Sequence, residues 1–155
     1  MRSSRSRVYA DTSVFGGAFD PEFAVASRRF FDRVRRGELT LVIGNAVEDE
    51  LEGSPPEVRE LHEEMLEYAE VTEVPREAFG LQAAYIASGV VTERWGTDAL
   101  HVATATVMDC AIIVSWNFRH IVNYRRIPLY NAVNTLEGYG EIAIYSPLEL
   151  TNDDN

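Results

Sequence analysis

The segment CAIIVS, Cys110 to Ser115, decides the fold of this chain. Its apolar residues run on without polar alternation, the pattern of a parallel strand covered on both faces. Before it, GTDALHVATATVMD from Gly96 reads as a helix rich in small residues, able to approach a neighbour closely. Further out the same alternation repeats. Arg7 to Asp11 reads as a first strand, and Asp20-Pro21-Glu22 opens a helix with a capping side chain, a proline and a first-turn acid. Phe23, Phe30, Phe31 and Val34 recur on that helix at its period, and Gly37 ends it. Leu39 to Ile43 is a short strand, and Asn45 caps a short helix through Glu52. Ser54-Pro55-Pro56-Glu57 has the spacing of a capping box and starts a helix through Ala69. Val71 to Val74 is extended, Arg76 to Ser88 and Pro128 to Glu137 are helical, and Ile142 to Tyr145 is a last strand. Strands alternating with helices predict a three-layer α/β/α domain with a mainly parallel central sheet. Ligands of such sheets bind beyond the carboxyl ends of the strands.

Composition bounds the function classes. The 155 residues fit one domain spanning 1–155, with a basic extension over 1–6 and a polar tail over 150–155. At 46% hydrophobic and 25% charged residues, the balance is that of a soluble protein. No apolar run approaches the ~20 residues of a membrane span. MRSSRSRVYADTS lacks the apolar stretch of a secretory signal, so a cytoplasmic location without membrane contact is expected. The net charge of −11 argues against binding a nucleic-acid backbone over the whole surface. There is no lysine, and the 14 basic residues are all arginine. They cluster at Arg2, Arg5 and Arg7, from Arg28 to Arg36, and at Arg119, Arg125 and Arg126. Any phosphate contact must therefore be a local arginine patch on an acidic body. Cys110, the single cysteine, is expected to be buried and inert.

Several acids fall at strand ends or helix starts. The run Val8-Tyr9-Ala10 ends on Asp11, where an unpaired carboxylate beside a buried strand would be costly. Thr12 and Ser13 follow; they could bond a carboxylate, a metal-bound water or a phosphate, or simply cap the strand end. After the second strand come Glu48, Asp49, Glu50 and Glu52. Val47 and Leu51, four apart, place Glu48 and Glu50 beside the buried stripe and turn Asp49 and Glu52 outward. Asp98 sits with Thr97 at the start of the small-residue helix, and Asn117 lies just past Ser115. Taken singly, Asp98 also reads as a helix N-terminal charge, Glu50 as a surface acid and Asn117 as a turn residue. Together they lie at one edge of one sheet. Converging carboxylates need a neutralising cation, and an oxygen donor set favours magnesium or manganese over zinc.

VYADTSVFGG, EDELEGSPPEVRE, TDALHVATA and VSWNFRHIVN, in this order and over nearly the whole chain, resemble the PIN-domain family. That family includes the ribonuclease toxins of bacterial and archaeal toxin–antitoxin pairs. The resemblance implies a PIN-like fold and a metal-dependent endoribonuclease acting on single-stranded or looped RNA. It implies Asp11, Glu50, Asp98 and Asn117 as catalytic and metal-ligating residues for Mg2+ or Mn2+. A cognate antitoxin and a homodimer are implied as partners. Asn117 departs from the pattern, since many members have aspartate there, and its neutral amide weakens a second metal site. Thr12, Ser13 and Arg119 are candidate substrate contacts. His101, three residues after Asp98, reads as a packing histidine, with general acid as the alternative. His120 lies towards the expected substrate edge, Trp116 is either buried or free to stack a base, and His62 reads as a solvated surface residue. The segment Arg28 to Arg36 is either a solvated face or a guide for RNA or a partner. Two other readings are a non-catalytic RNA-binding or interaction module, favoured by Asn117, and a small phosphatase-like hydrolase with Asp11 as nucleophile. The latter expects a second aspartate where Ser13 stands.

Overall fold

The sheet runs β3-β2-β1-β4-β5 with every neighbouring pair parallel. Its strands are β1 (Arg7–Ala10), β2 (Thr40–Gly44), β3 (Glu70–Thr72), β4 (Ile112–Val114) and β5 (Ala143–Tyr145). The computed structural model describes residues 6–151. All of the expected basic extension except Ser6 lies outside the described residues, as does the tail beyond Thr151. Leu150 and Thr151, expected in that tail, belong instead to a short C-terminal helix, α8 (Pro147–Thr151). Among the described residues no helix is long and apolar enough to cross a membrane.

Strand alternation builds the three layers. Val8, Ala10 and Leu41 point to one face, where they pack with Phe15, Phe30, Phe31 and Met65. That layer consists of α1 (Thr12–Gly17), α2 (Ala24–Arg35), α3 (Asn45–Glu50) and α4 (Pro56–Met65). Tyr9, Val42 and Ile113 point to the other face and pack with Leu81, Val102 and Tyr130. There lie α5 (Arg76–Ala87), α6 (Gly96–Val107) and α7 (Ile127–Leu136). The expected three-layer α/β/α architecture is present, and CAIIVS is the source of β4. Cys110 is 5% exposed, and burial pushes its thiol up to about 11, so it is inert.

Several local expectations are corrected. The helix expected from Asp20 begins at Ala24, because Asp20 closes a turn by accepting from the Glu22 amide at 2.8 Å. Helix α1, absent from the sequence reading, contains both glycines and is capped by Asp11, which accepts from the Ser13 amide. Asn45 does not cap α3; Gly44 holds that position, and the Asn45 side chain accepts from the Val74 amide across to the end of β3. Ser54 makes no capping bond either: α4 starts on Pro56 after Pro55, where a missing N–H costs nothing. His62 is buried at 7% exposure, edge-on to Phe15, not solvated.

Gly17 shows how tightly the layers meet. A Cβ there would come within 2.6 Å of Trp116 Nε1 and 2.7 Å of Ser27 Oγ, the two atoms that hydrogen-bond each other at 2.7 Å. Alanine normally stabilises a helix by ~1 kcal/mol over glycine, whereas overpacking costs ~1–3 kcal/mol. Gly17→Ala is therefore expected to lower stability in a denaturant titration. An unchanged or higher midpoint would contradict this packing.

Candidate functional site

The chain leaves β1 for β2 and β3 on one side, then crosses back to place β4 on the other side of β1. The crevice beyond the carboxyl ends of β1 and β4 is thus the topological switch point, where open parallel sheets bind ligands. Asp11 follows β1, Ser115 and Asn117 follow β4, and Glu50 ends the short helix after β2.

Asp11 is 4% exposed, and both its carboxylate oxygens are engaged. Oδ1 accepts from the Ser13 amide at 3.1 Å and Ser13 Oγ at 2.6 Å. Oδ2 accepts from Ser115 Oγ at 2.6 Å. The two serine oxygens in turn accept from the Trp116 and Asn117 amides at 2.8 and 2.9 Å. Burial raises the Asp11 pKa, opposed by His101 and the two serines, while Glu50 pushes it higher.

Glu50 keeps 35% of its side chain accessible. Its Oε1 accepts from Thr12 Oγ1 at 2.8 Å and pairs with His101 Nε2 at 2.5 Å. His101 Nδ1 meets the Tyr9 hydroxyl at 2.7 Å. Gly44 makes room for that hydroxyl, since a Cβ would stand 2.7 Å from it. Burial raises the Glu50 pKa, but the His101 and Thr12 hydrogen bonds outweigh it and hold the carboxyl below its usual value. Glu48, on the other side of α3, lines a separate cleft with His62.

Asp98, in the first turn of α6, lies 3.3 Å from His120 Nδ1, with the Asn117 side chain near enough to favour its charged form. Burial raises its pKa against those two partners and His101. His120 is 6% exposed and stacks on Trp95 with ring centroids 4.2 Å apart. It therefore stands beside the acidic site but within the fold.

The structure therefore gathers Asp11, Glu50 and Asp98 around His101, whose charge acts on all three. Sequence reasoning gave His101 the lesser part of a packing residue; its i, i+3 spacing from Asp98 was the available signal. Asn117 joins beside Asp98, but its Oδ1 is occupied, accepting from the Arg119 and His120 amides at 3.2 and 2.9 Å. Thr12 and Ser13 bond carboxylates, and Arg119 is exposed. Trp116 is buried, stacked on Phe23 at 4.2 Å, so it offers no free face to a base. Among the described residues no group of three or more His, Cys, Asp or Glu is arranged to hold a metal ion.

No protein-family model matches the chain, and no curated protein matches it. Solved structures do. The chain is similar to one in VapBC2 from Rickettsia felis bound to a DNA fragment from their promoter, at 12% identity and TM-score 0.61, over 90% of this chain and 98% of that one. A chain of FitAcB from Neisseria gonorrhoeae aligns at 12% identity and TM-score 0.57, over 90% and 97%. A chain of FitAB bound to an IR36 DNA fragment aligns at 12% identity and TM-score 0.56, over 96% and 98%. All three are toxin–antitoxin complexes. At this identity the likeness shows the fold alone. The resemblance to PIN-domain toxins is corrected on these findings: no family model supports it, and likeness to a chain of a two-component complex does not assign this one to the toxin side.

The His101 environment has a measurable consequence. Burial opposes its charge, but the Glu50 hydrogen bond and the charges of Asp11, Glu50 and Asp98 win and raise its pKa above 6.5. A base whose pKa rises on folding stabilises the fold fully below its unfolded value and loses that contribution as pH climbs through the folded one. The melting-temperature advantage of the wild type over His101→Gln should therefore shrink as pH is taken from below 6.5 to well above it. An advantage that grows with pH would reverse the assignment.

Proposed function

We propose that this chain is a metal-dependent endoribonuclease belonging to a toxin–antitoxin pair, acting in the cytoplasm on single-stranded or looped RNA. The observation that carries the reading is the convergence of Asp11, Glu50 and Asp98 on one histidine at the switch point of the sheet. The donor set fits a hard divalent cation, being all oxygen. Glu50 Oε2 has no hydrogen-bond partner among the described residues. Mg2+ is usually held by one or two carboxylates, its own waters and substrate phosphates. Asp11, Glu50 and Asp98 would hold Mg2+ or Mn2+, with Asn117 at the margin. Bound there, the cation would supply water activation and charge neutralisation for phosphodiester hydrolysis.

The residues around the carboxylates prepare that role. Ser13 and Ser115 fix the Asp11 carboxylate, and Thr12 and His101 fix Glu50. His120 orients Asp98. The toxin–antitoxin context supports a cognate protein partner, and self-association as a homodimer belongs to the same proposal. The phosphatase-like reading fares worse, because Ser13 stands where it expects a second aspartate. A non-catalytic binding module is favoured by Asn117, whose oxygen is used in a turn.

Asp11→Asn and Asp98→Asn should each lower magnesium- or manganese-stimulated cleavage of single-stranded RNA by about a hundredfold or more, the scale of losing one charge-stabilising group. Cleavage undiminished in both variants would remove the nuclease reading. Asn117→Asp should tighten divalent binding in calorimetry, because a carboxylate replaces a neutral amide beside Asp98. Tighter metal binding without any cleavage in either protein would favour the binding module.

A further inference from the structure

Between Asp109 and Glu137 the chain has no acidic residue, the longest such interval in a protein with 25 acids. Within it, Asn117-Phe118-Arg119 and Asn123-Tyr124-Arg125 are two copies of one unit, asparagine, aromatic, arginine, six residues apart. The structure treats them alike. Asn117 Oδ1 accepts from the Arg119 and His120 amides, and Asn123 Oδ1 accepts from the Arg125 and Arg126 amides at 3.0 and 3.3 Å. Asn123 Nδ2 also donates to the Phe118 carbonyl at 3.1 Å, tying the second unit to the first. Each turn leaves its aromatic ring in solvent, Phe118 at 48% and Tyr124 at 77% exposure. Arg125 lies over the Tyr124 ring at 5.7 Å.

Arg7, Arg33, Arg35 and Arg36 are each paired with an acid, whereas Arg28, Arg29, Arg59, Arg76 and Arg94 have no acid partner among the described residues. Among the described residues Arg119, Arg125 and Arg126 have no such pair, and Arg126 Nε is buried without a hydrogen-bond partner. Their position relative to the acidic site is fixed by His120, which pairs with Asp98 and feels the charges of both Arg119 and Arg126.

We infer that the loop from Asn117 to Arg126 is a two-step platform for single-stranded RNA, on which two bases stack on Phe118 and Tyr124 while Arg119, Arg125 and Arg126 contact the phosphates leading into the acidic site. The inference rests on the nuclease reading for the identity of its ligand. Stacking rings interleaved with cations are how single strands are held without sequence readout. Unpaired arginines on a strongly acidic body match a polyanion better than a further acid-poor protein face. On this reading the ion-paired Arg33 and Arg35 of α2 are structural.

The test is fluorescence anisotropy of a labelled single-stranded RNA oligonucleotide with the full chain in EDTA, over a range of salt, alongside metal-stimulated cleavage. Tyr124→Ala and Phe118→Ala should each weaken binding about tenfold, with Tyr124→Phe retaining it. Tyr124→Ala should hardly change the melting temperature, since that ring is 77% exposed. Phe118→Ala also removes an edge contact with Trp116 at 6.1 Å, so its binding loss is read at a temperature where the variant is folded. Arg125→Gln should reduce the slope of log affinity against log salt by about 0.7. Wild-type cleavage with RNA affinity unmoved by these variants would overturn the platform and spare the nuclease. Binding that falls in these variants, from a wild type that never cleaves, would support the platform and sink the nuclease. Unchanged RNA affinity with a shift from dimer to monomer in sedimentation would make the loop a self-association surface and overturn the inference.

Discussion

The Asp11 carboxylate, clamped between Ser13 and Ser115, is the interaction on which the rest of the site depends. A charge this deeply buried costs several kcal/mol unless it is paired and hydrogen-bonded. Here three short bonds from two serines reach its two oxygens. Those serines sit on the two central strands' exits, so the clamp also closes the switch point. Ser13 joins α1 to the chain after β4 through the Trp116 amide, and Trp116 continues inward to Ser27 on α2. The same contacts that hold a functional carboxylate therefore fix the first helical layer against the sheet.

From Asp11 the electrostatics pass to His101. Three carboxylates near one another would each drive up the others' pKa values, and Glu50 does so to Asp11 and Asp98. His101 offsets this, bonded to Glu50 on one side and to Tyr9, from the first strand, on the other. The histidine thus supplies, from within the fold, part of the positive charge that a cluster of acids needs. Gly44 is part of this arrangement, because any side chain there would displace the Tyr9 hydroxyl.

What the sequence revealed divides along physical lines. Continuous apolar runs such as CAIIVS and LTLVI identify strands because period and burial are local properties, and the parallel three-layer architecture followed from their alternation with helices. Asp11 stood out because a carboxylate at the end of a buried strand demands a partner. The partner itself, Ser115, is set by strand pairing over a separation of 104 residues and has no local signature. The same holds for Asn45, drawn off by the Val74 amide, for His62 under Phe15, and for Trp116 under Phe23. Helix α1 was hidden by its two glycines, which propensity marks as helix breakers, although packing against Trp116 requires the second of them, Gly17. Motif resemblance suggested a family that neither family models nor the 12% identity of the fold neighbours sustains.

Asn117 shows why a neutral residue suits the last position. Its oxygen closes the turn that follows β4, accepting from two successive amides, and its neutral side chain lies near enough to Asp98 to favour that group's charged form. An aspartate could keep the turn, since a carboxylate accepts the same two bonds. Its second oxygen would then add a charge beside Asp98, which already pairs with His120. Two carboxylates so placed either share a proton or require a cation between them. With asparagine that second charge is absent. One side chain thereby sets both the shape of the arginine-bearing loop and the charge of the acidic pocket, which is why neither can be altered there without the other.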